Sequence, residues 1–156
     1  MVKHTKLKSI SSGIAGEYLV AAELTRQGYV ASLTLKNTQG VDILAASADG
    51  TKQVAIQVKC DQGSSAEWVL NAKAERLESP TLFYVFVRLN NSGQHGFHVV
   101  PSSTVAKYTR ETHQAWLRTP GKKGQPHRDN RIRKFADRQG TYKDAWPNLG
   151  LGPTAA

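Results

Sequence analysis

Along the first third of the chain the spacing of apolar residues changes character twice. Ile14, Ala15, Tyr18, Leu19, Ala22 and Leu24 recur at intervals of three and four, preceded by Ser11 and Ser12 and closed by Gln27-Gly28. That period predicts a helix with a serine cap at its start and a glycine stop at its end. From Tyr29 to Leu35 the chain is rich in strand formers and stops at Asn37-Thr38-Gln39-Gly40, and Val41 to Ala46 is a short apolar run broken only by Asp42. Both read as strands. Asp49-Gly50 then predicts a hairpin turn into Gln53 to Lys59, where Val54, Ile56 and Val58 alternate with Gln53, Ala55, Gln57 and Lys59.

Beyond a Gly-Ser loop at residues 63–65, Trp68, Val69, Ala72 and Leu77 suggest a second helix over residues 67–78, ended by Ser79-Pro80. Leu82 to Leu89 is almost wholly apolar, which predicts a strand buried on both faces, and Asn90-Asn91-Ser92-Gly93 turns it into another strand, Gly96 to Val100. Pro101-Ser102-Ser103 opens a helix carrying Val105, Tyr108 and Trp116. After Pro120 the chain is Gly- and Lys-rich, but Arg128, Arg131, Lys134 and Arg138 return at spacings of three, three and four with Ile132, Phe135 and Ala136 between them. A helix there would carry a basic stripe over an apolar face. The expected class is mixed α/β, with no internal repeat and no second core.

Composition narrows the function classes. With 156 residues the chain is of single-domain size, and 39% hydrophobic with 21% charged residues excludes wholesale disorder. One cysteine, Cys60, excludes a disulfide framework, and no Cys/His spacing fits a zinc site. No apolar segment follows the N-terminal lysines, so the expectation is a cytoplasmic protein without membrane contact. The net charge of +9 is uneven: residues 1–8 carry +3, residues 9–104 carry −1 and residues 105–156 carry +7. A nearly neutral body between basic ends suggests a phosphate-rich partner, although a solvated basic surface is an equal alternative on charge alone. The expected organisation is a basic arm (1–11), a core domain (12–118) and a basic C-terminal extension (119–156) docked on it by Trp116, Trp146 and Leu149.

Charged groups inside an apolar strand demand a reason, and Asp42 and Lys59 both do. If the Asp49-Gly50 hairpin pairs their strands, Asp42 approaches Gln57 and Lys59, which share one strand face. A carboxylate, an amide oxygen and an ammonium would then meet at the sheet edge. Such a group suits Mg²⁺-assisted phosphodiester hydrolysis, with Asp42 as central ligand, Gln57 as neutral ligand and Lys59 orienting water or stabilising phosphate charge. Glu17 could add a second carboxylate if the first helix packs on these strands. A surface ion pair is the structural alternative. His95 and His98 are expected to be surface histidines, and Cys60 an inert thiol pointing into the core with Val58.

Gly16-Glu17, Gly28-Tyr29, Gly40-Val41-Asp42-Ile43 and Ile56-Gln57-Val58-Lys59 together resemble the PD-(D/E)XK nuclease superfamily, in its Holliday junction resolvase-like and type IV restriction branches. The resemblance covers about residues 12–89. It implies a restriction-endonuclease-like αβββαβ core, a mixed sheet flanked by helices, and a site made of Glu17, Asp42, Gln57 and Lys59 with Mg²⁺ or Mn²⁺ on Glu17, Asp42 and Gln57. Val41 stands where the family's proline would be, and Gln57 replaces the commoner acid, leaving two carboxylates. The expected function is metal-dependent endonucleolytic cleavage of DNA, with RNA left open and a homodimer expected for double-strand cutting. Lys122, Lys123, Arg128, Arg131, Lys134 and Arg138 are the expected nucleic-acid contacts. The alternatives are a catalytically weak or inactive nucleic-acid-binding module of the same fold, or a structural partner, within a larger nuclease or defence assembly.

Overall fold

The computed structural model describes residues 5–35 and 38–152, so Lys3 of the expected N-terminal arm and Asn37 of the first turn lie outside the described residues. Helix α1 spans Ser9–Arg26 and is followed by strands β1 (Val30–Leu33), β2 (Ile43–Ala46), β3 (Gln53–Asp61) and β4 (Glu67–Asn71). A 3-10 turn, Ala72–Glu75, leads to β5 (Leu82–Arg88) and β6 (Gly96–Pro101), then to helix α2 (Ser102–Arg118), β7 (Ile132–Ala136) and a last 3-10 turn, Trp146–Leu149. A five-stranded mixed sheet runs in the order β1-β2-β3-β5-β6, parallel only between β3 and β5, and β4 pairs with β7 in a separate antiparallel ribbon.

The two faces of the sheet are covered differently. Ser12, Gly16, Val20 and Leu24, four apart on α1, are buried against Ile43, Ala45, Val54, Ile56 and Val58, with Trp146, Leu149 and Leu151 of the C-terminal segment completing this core. A Cβ on Gly16 would sit 3.1 Å from the Cys60 Cβ, so helix and strand touch at this level because the residue there is glycine. On the other face Tyr84, Phe86, Val100 and Val105 pack with Trp68, Leu70 and Phe135 of the ribbon. The Trp68 indole donates to the Val87 carbonyl at 2.9 Å, and Phe86 stacks on Phe135 with ring centroids 4.6 Å apart. β5, buried along six of its seven residues, is the central strand that the apolar run predicts.

Several local expectations change. α1 begins a turn before Ser12, because the Lys8 carbonyl already accepts from the Ser12 amide at 2.9 Å, and no side chain caps it. The expected helix over residues 67–78 is β4 plus the 3-10 turn. Trp68 and Leu70 point inward while Glu67, Val69 and Asn71 do not, a period of two that the apolar Ala72 and Leu77 obscure. The expected basic helix around Arg131 is β7, with Arg133 and Phe135 buried and Ile132 and Lys134 outside. The β3 to β5 crossover therefore runs through a strand and a 3-10 turn rather than a helix. His98 is buried rather than at the surface, its Nδ1 2.7 Å from the Asp137 carboxylate, which also accepts from the Thr141 and Tyr142 amides. Cys60 faces the α1 side as expected, and burial pushes its thiol up to about 12.

The Asp49-Gly50 hairpin that sets the β2/β3 register is held by one carboxylate. Asp49 Oδ1 accepts from the Ser47 hydroxyl at 2.7 Å and from the amide and hydroxyl of Thr51, which pulls its carboxyl from 3.8 down to about 2. Folding thus favours the charged form, so this contribution is fully present above pH ~4 and disappears as pH falls towards 2. Thermal unfolding of wild type and Asp49→Ala should show a stability gap at pH 5 that closes by pH 2. A gap independent of pH would assign the hairpin's stability elsewhere.

Candidate active site

The register of β2 on β3 aligns Ile43 with Ile56, which places Asp42, one residue before β2, opposite Gln57. The Asp42 amide donates to the Ile56 carbonyl at 2.9 Å, and its Oδ2 accepts from the Val58 amide at 2.7 Å. A side chain thereby takes over a ladder position where β2 has ended, and this fixes the carboxylate at the edge of β3. No hydrogen bond from the described residues occupies its Oδ1.

Ile56 and Val58 enter the core under α1, so Gln57 and Lys59 point to the opposite face. There they line a cleft of about 980 Å³ between the sheet, the 3-10 turn Ala72–Glu75, α2 and the start of β7. Gln57 Oε1 is buried and has no hydrogen-bond partner among the described residues. An unsatisfied buried carbonyl oxygen costs roughly 1–3 kcal/mol, which a cation ligated there would offset. Lys59 makes no ion pair within the described residues, so its ammonium is available to an incoming anion. Tyr84 lies opposite Gln57 on β5 and borders the same cleft, and burial raises its phenol to about 12, so it stays a neutral donor at neutral pH.

Glu17 follows Gly16, the residue that touches Val58 and Cys60, so it sits at the level of β3 where Asp42 is bound. It is half-buried on the α1 side of the sheet. The structure thus sets Asp42 opposite Gln57, with Lys59 two residues further along β3, while Glu17 lies on the α1 side of the sheet and not on the face that Gln57 and Lys59 share. Two carboxylates and an amide oxygen are a hard, oxygen-only donor set of the kind Mg²⁺ and Mn²⁺ take. Among the described residues no group of three or more His, Cys, Asp or Glu side chains forms a metal cluster.

The expected nucleic-acid contacts separate. Lys122, Lys123 and Arg128 are exposed in the segment between α2 and β7, and Arg131 borders the cleft. Lys134 and Arg138 both bind the Glu67 carboxylate, at 2.8 and 2.7 Å, and that pairing holds Glu67 below the usual carboxylate range. A helix would have aligned these residues; the strand splits them. The segment is tied to α2 where the His113 ring meets the Asp129 carboxylate at 2.7 Å and where His127 stacks on Trp116 with centroids 4.1 Å apart. Lys73, Arg76 and Asn130 also border the cleft and carry no motif. The alternation across Glu67–Asn71 was the signal for a strand in place of a helix, although it does not by itself carry Lys73 to the cleft.

Comparison with known proteins follows this geometry. Residues 11–78, which take in α1 from its third residue, β1 to β4 and the first 3-10 turn, match the Mrr_cat family, restriction endonuclease. The fold is similar to that of the bacterial homing endonuclease I-Ssp6803I, with a TM-score of 0.57 and 13% identity, covering 94% of this chain and 95% of that one. It is also similar to the Holliday junction resolvase Hjc of Archaeoglobus fulgidus, with a TM-score of 0.46 and 17% identity over 80% of this chain and 84% of that one. No curated protein sequence matches. Glu17, Asp42, Gln57 and Lys59 all lie inside the matched segment, so the part of the chain that carries the candidate site is similar to the Mrr_cat restriction endonuclease family.

Proposed function

We propose that the chain is a metal-dependent endodeoxyribonuclease whose site is Glu17, Asp42, Gln57 and Lys59. The observation that carries this is the buried Gln57 oxygen in register with Asp42, beside Lys59, neither of which has a partner among the described residues. Asp42 and Gln57, with Glu17 from α1, would hold Mg²⁺ or Mn²⁺. A bound divalent ion supplies Lewis acidity at the phosphate and lowers the pKa of attacking water. The protein's part is positional and electrostatic. The Val58 amide fixes the Asp42 carboxylate, strand alternation sets Gln57 and Lys59 side by side, and the Lys59 ammonium stabilises charge that grows on the phosphate oxygens in the transition state. Cutting both strands of a duplex takes two such sites, so a homodimer is the expected working form.

The test is incubation of the purified chain with plasmid and branched DNA, with and without Mg²⁺ or Mn²⁺, together with calorimetric titration of the ion. Metal-stimulated cleavage is the expected result. Its absence on every DNA offered, with retained binding, would favour the non-cleaving module. Gln57→Glu should lower the metal concentration at half-saturation by on the order of tenfold, since a carboxylate attracts the ion more strongly than an amide dipole. The rate need not rise, because a second charge can pull Lys59 out of place. Equal affinities in the two forms would remove Gln57 from the ligand set.

A further inference from the structure

Opposite Gln57 and Lys59, the far wall of the cleft is made by the elements that replace the expected crossover helix. Seven charged side chains border the cleft: Lys59, Lys73, Arg76, Arg131 and Arg133 against Glu75 and Asp129. The two carboxylates are committed internally. Glu75 binds the Arg133 guanidinium, and Asp129 takes the His113 ring at 2.7 Å with Arg133 3.7 Å away. No carboxylate among the described residues pairs with Lys59, Lys73, Arg76 or Arg131. A concave surface with four cations that no carboxylate among the described residues pairs concentrates a polyanion.

Their placement is ordered by backbone. In a 3-10 turn side chains three apart eclipse, so Lys73 within the turn and Arg76 just after it lie one above the other, while Glu75 turns inward to Arg133. The Ala72 amide donates to the Arg131 carbonyl at 2.9 Å, which seats Arg131 beside the start of that turn. Lys73, Arg76 and Arg131 are exposed, so each can reach a phosphate without desolvating a buried charge. Lys134 and Arg138, on the other side of the ribbon, are already paired with Glu67.

We infer that Lys73, Arg76 and Arg131 form a phosphate-binding track for the DNA backbone along the wall facing Gln57 and Lys59, and that the outer ribbon face with Lys134 and Arg138 is not part of it. The inference rests on the proposed DNA-cleaving reading and adds which surface holds the strand being cut. The track contacts phosphates and so positions the duplex without selecting its sequence.

The experiment measures equilibrium binding of a fluorescein-labelled 30-bp duplex without divalent ions, over a range of NaCl concentrations. Wild type is compared with Lys73→Gln/Arg76→Gln/Arg131→Gln and with Lys134→Gln/Arg138→Gln. All five positions are exposed, and far-UV circular dichroism and thermal unfolding verify the fold. Each lost phosphate contact flattens the slope of log K against log salt by about 0.9, so the triple variant should lose roughly 2–3 units of slope and the double variant less than about 1. Affinity of the triple variant should fall about equally for unrelated sequences. A slope unchanged in the triple variant, a larger change in the double variant, or no binding of duplex by wild type at low salt would each overturn the track. Because no metal is present, cleavage plays no part in the readout. A failed track with intact metal-stimulated cleavage leaves the nuclease reading standing, and the converse result leaves the track standing.

Discussion

Asp42→Asn is expected to abolish metal-dependent cleavage, with a loss of at least about 10²–10³-fold in kcat, while leaving DNA affinity equal or slightly higher. The magnitude is that of removing one group that stabilises developing charge at a preorganised site. Affinity is spared because the lost charge repels phosphate. The choice of asparagine follows from the structure. Asp42 Oδ2 accepts from the Val58 amide at 2.7 Å, so Asp42→Ala would also orphan a backbone donor at the edge of β3, at a cost of about 1–3 kcal/mol. The amide oxygen of asparagine retains that acceptor, and the experiment then reads charge alone. Single-turnover cleavage and duplex binding, measured side by side, decide it. Cleavage by Asp42→Asn at the wild-type rate would remove Asp42 from the site.

Arg133→Met is expected to be the most destabilising single change near the cleft. Arg133 is 6% exposed, its guanidinium binds the Glu75 carboxylate, and its Nη1 donates to the carbonyls of Asn130 and Ile132 at 2.6 and 2.9 Å. Removing it leaves Glu75 partly buried and unpaired, which costs about 3–5 kcal/mol where a buried ion pair loses one partner. For a domain of this size that corresponds to a fall in Tm of roughly 10 °C. Glu75→Gln added to Arg133→Met should recover part of the loss, because the stranded charge goes with it. Urea unfolding of the two single variants and the double variant measures the coupling. Additive effects would show that the pair contributes nothing beyond its separate side chains.

These two residues divide in how far their roles were legible. Asp42 stood out because a carboxylate within Val41 to Ala46 has no apolar explanation, and the Asp49-Gly50 turn placed it against Gln57 and Lys59 by counting. Arg133 did not stand out. In a list of cations spaced three and four apart it fell on no stripe, and only β7's pairing with β4 buries it against Glu75, 58 residues earlier.

Local period and turn chemistry determined α1, the three strands after it, β5, β6 and α2, because in each the apolar spacing and the flanking Gly, Asn or Pro agree on one conformation. The acid, amide and lysine of the candidate site belong to that same stretch and are joined by the short hairpin loop around Asp49-Gly50, so local rules sufficed to bring them together. Tertiary structure alone decided the segments whose spacing fits two periods. Glu67–Asn71 and Ile132–Ala136 each tolerate a helix, and each is a strand because the other, about 65 residues away, supplies its hydrogen bonds and Phe86 supplies the surface that Trp68 and Phe135 bury. That pairing carries Lys73, Arg76 and Arg131 to the wall facing Gln57, a placement no local pattern encodes, since it depends on partners far apart in the chain.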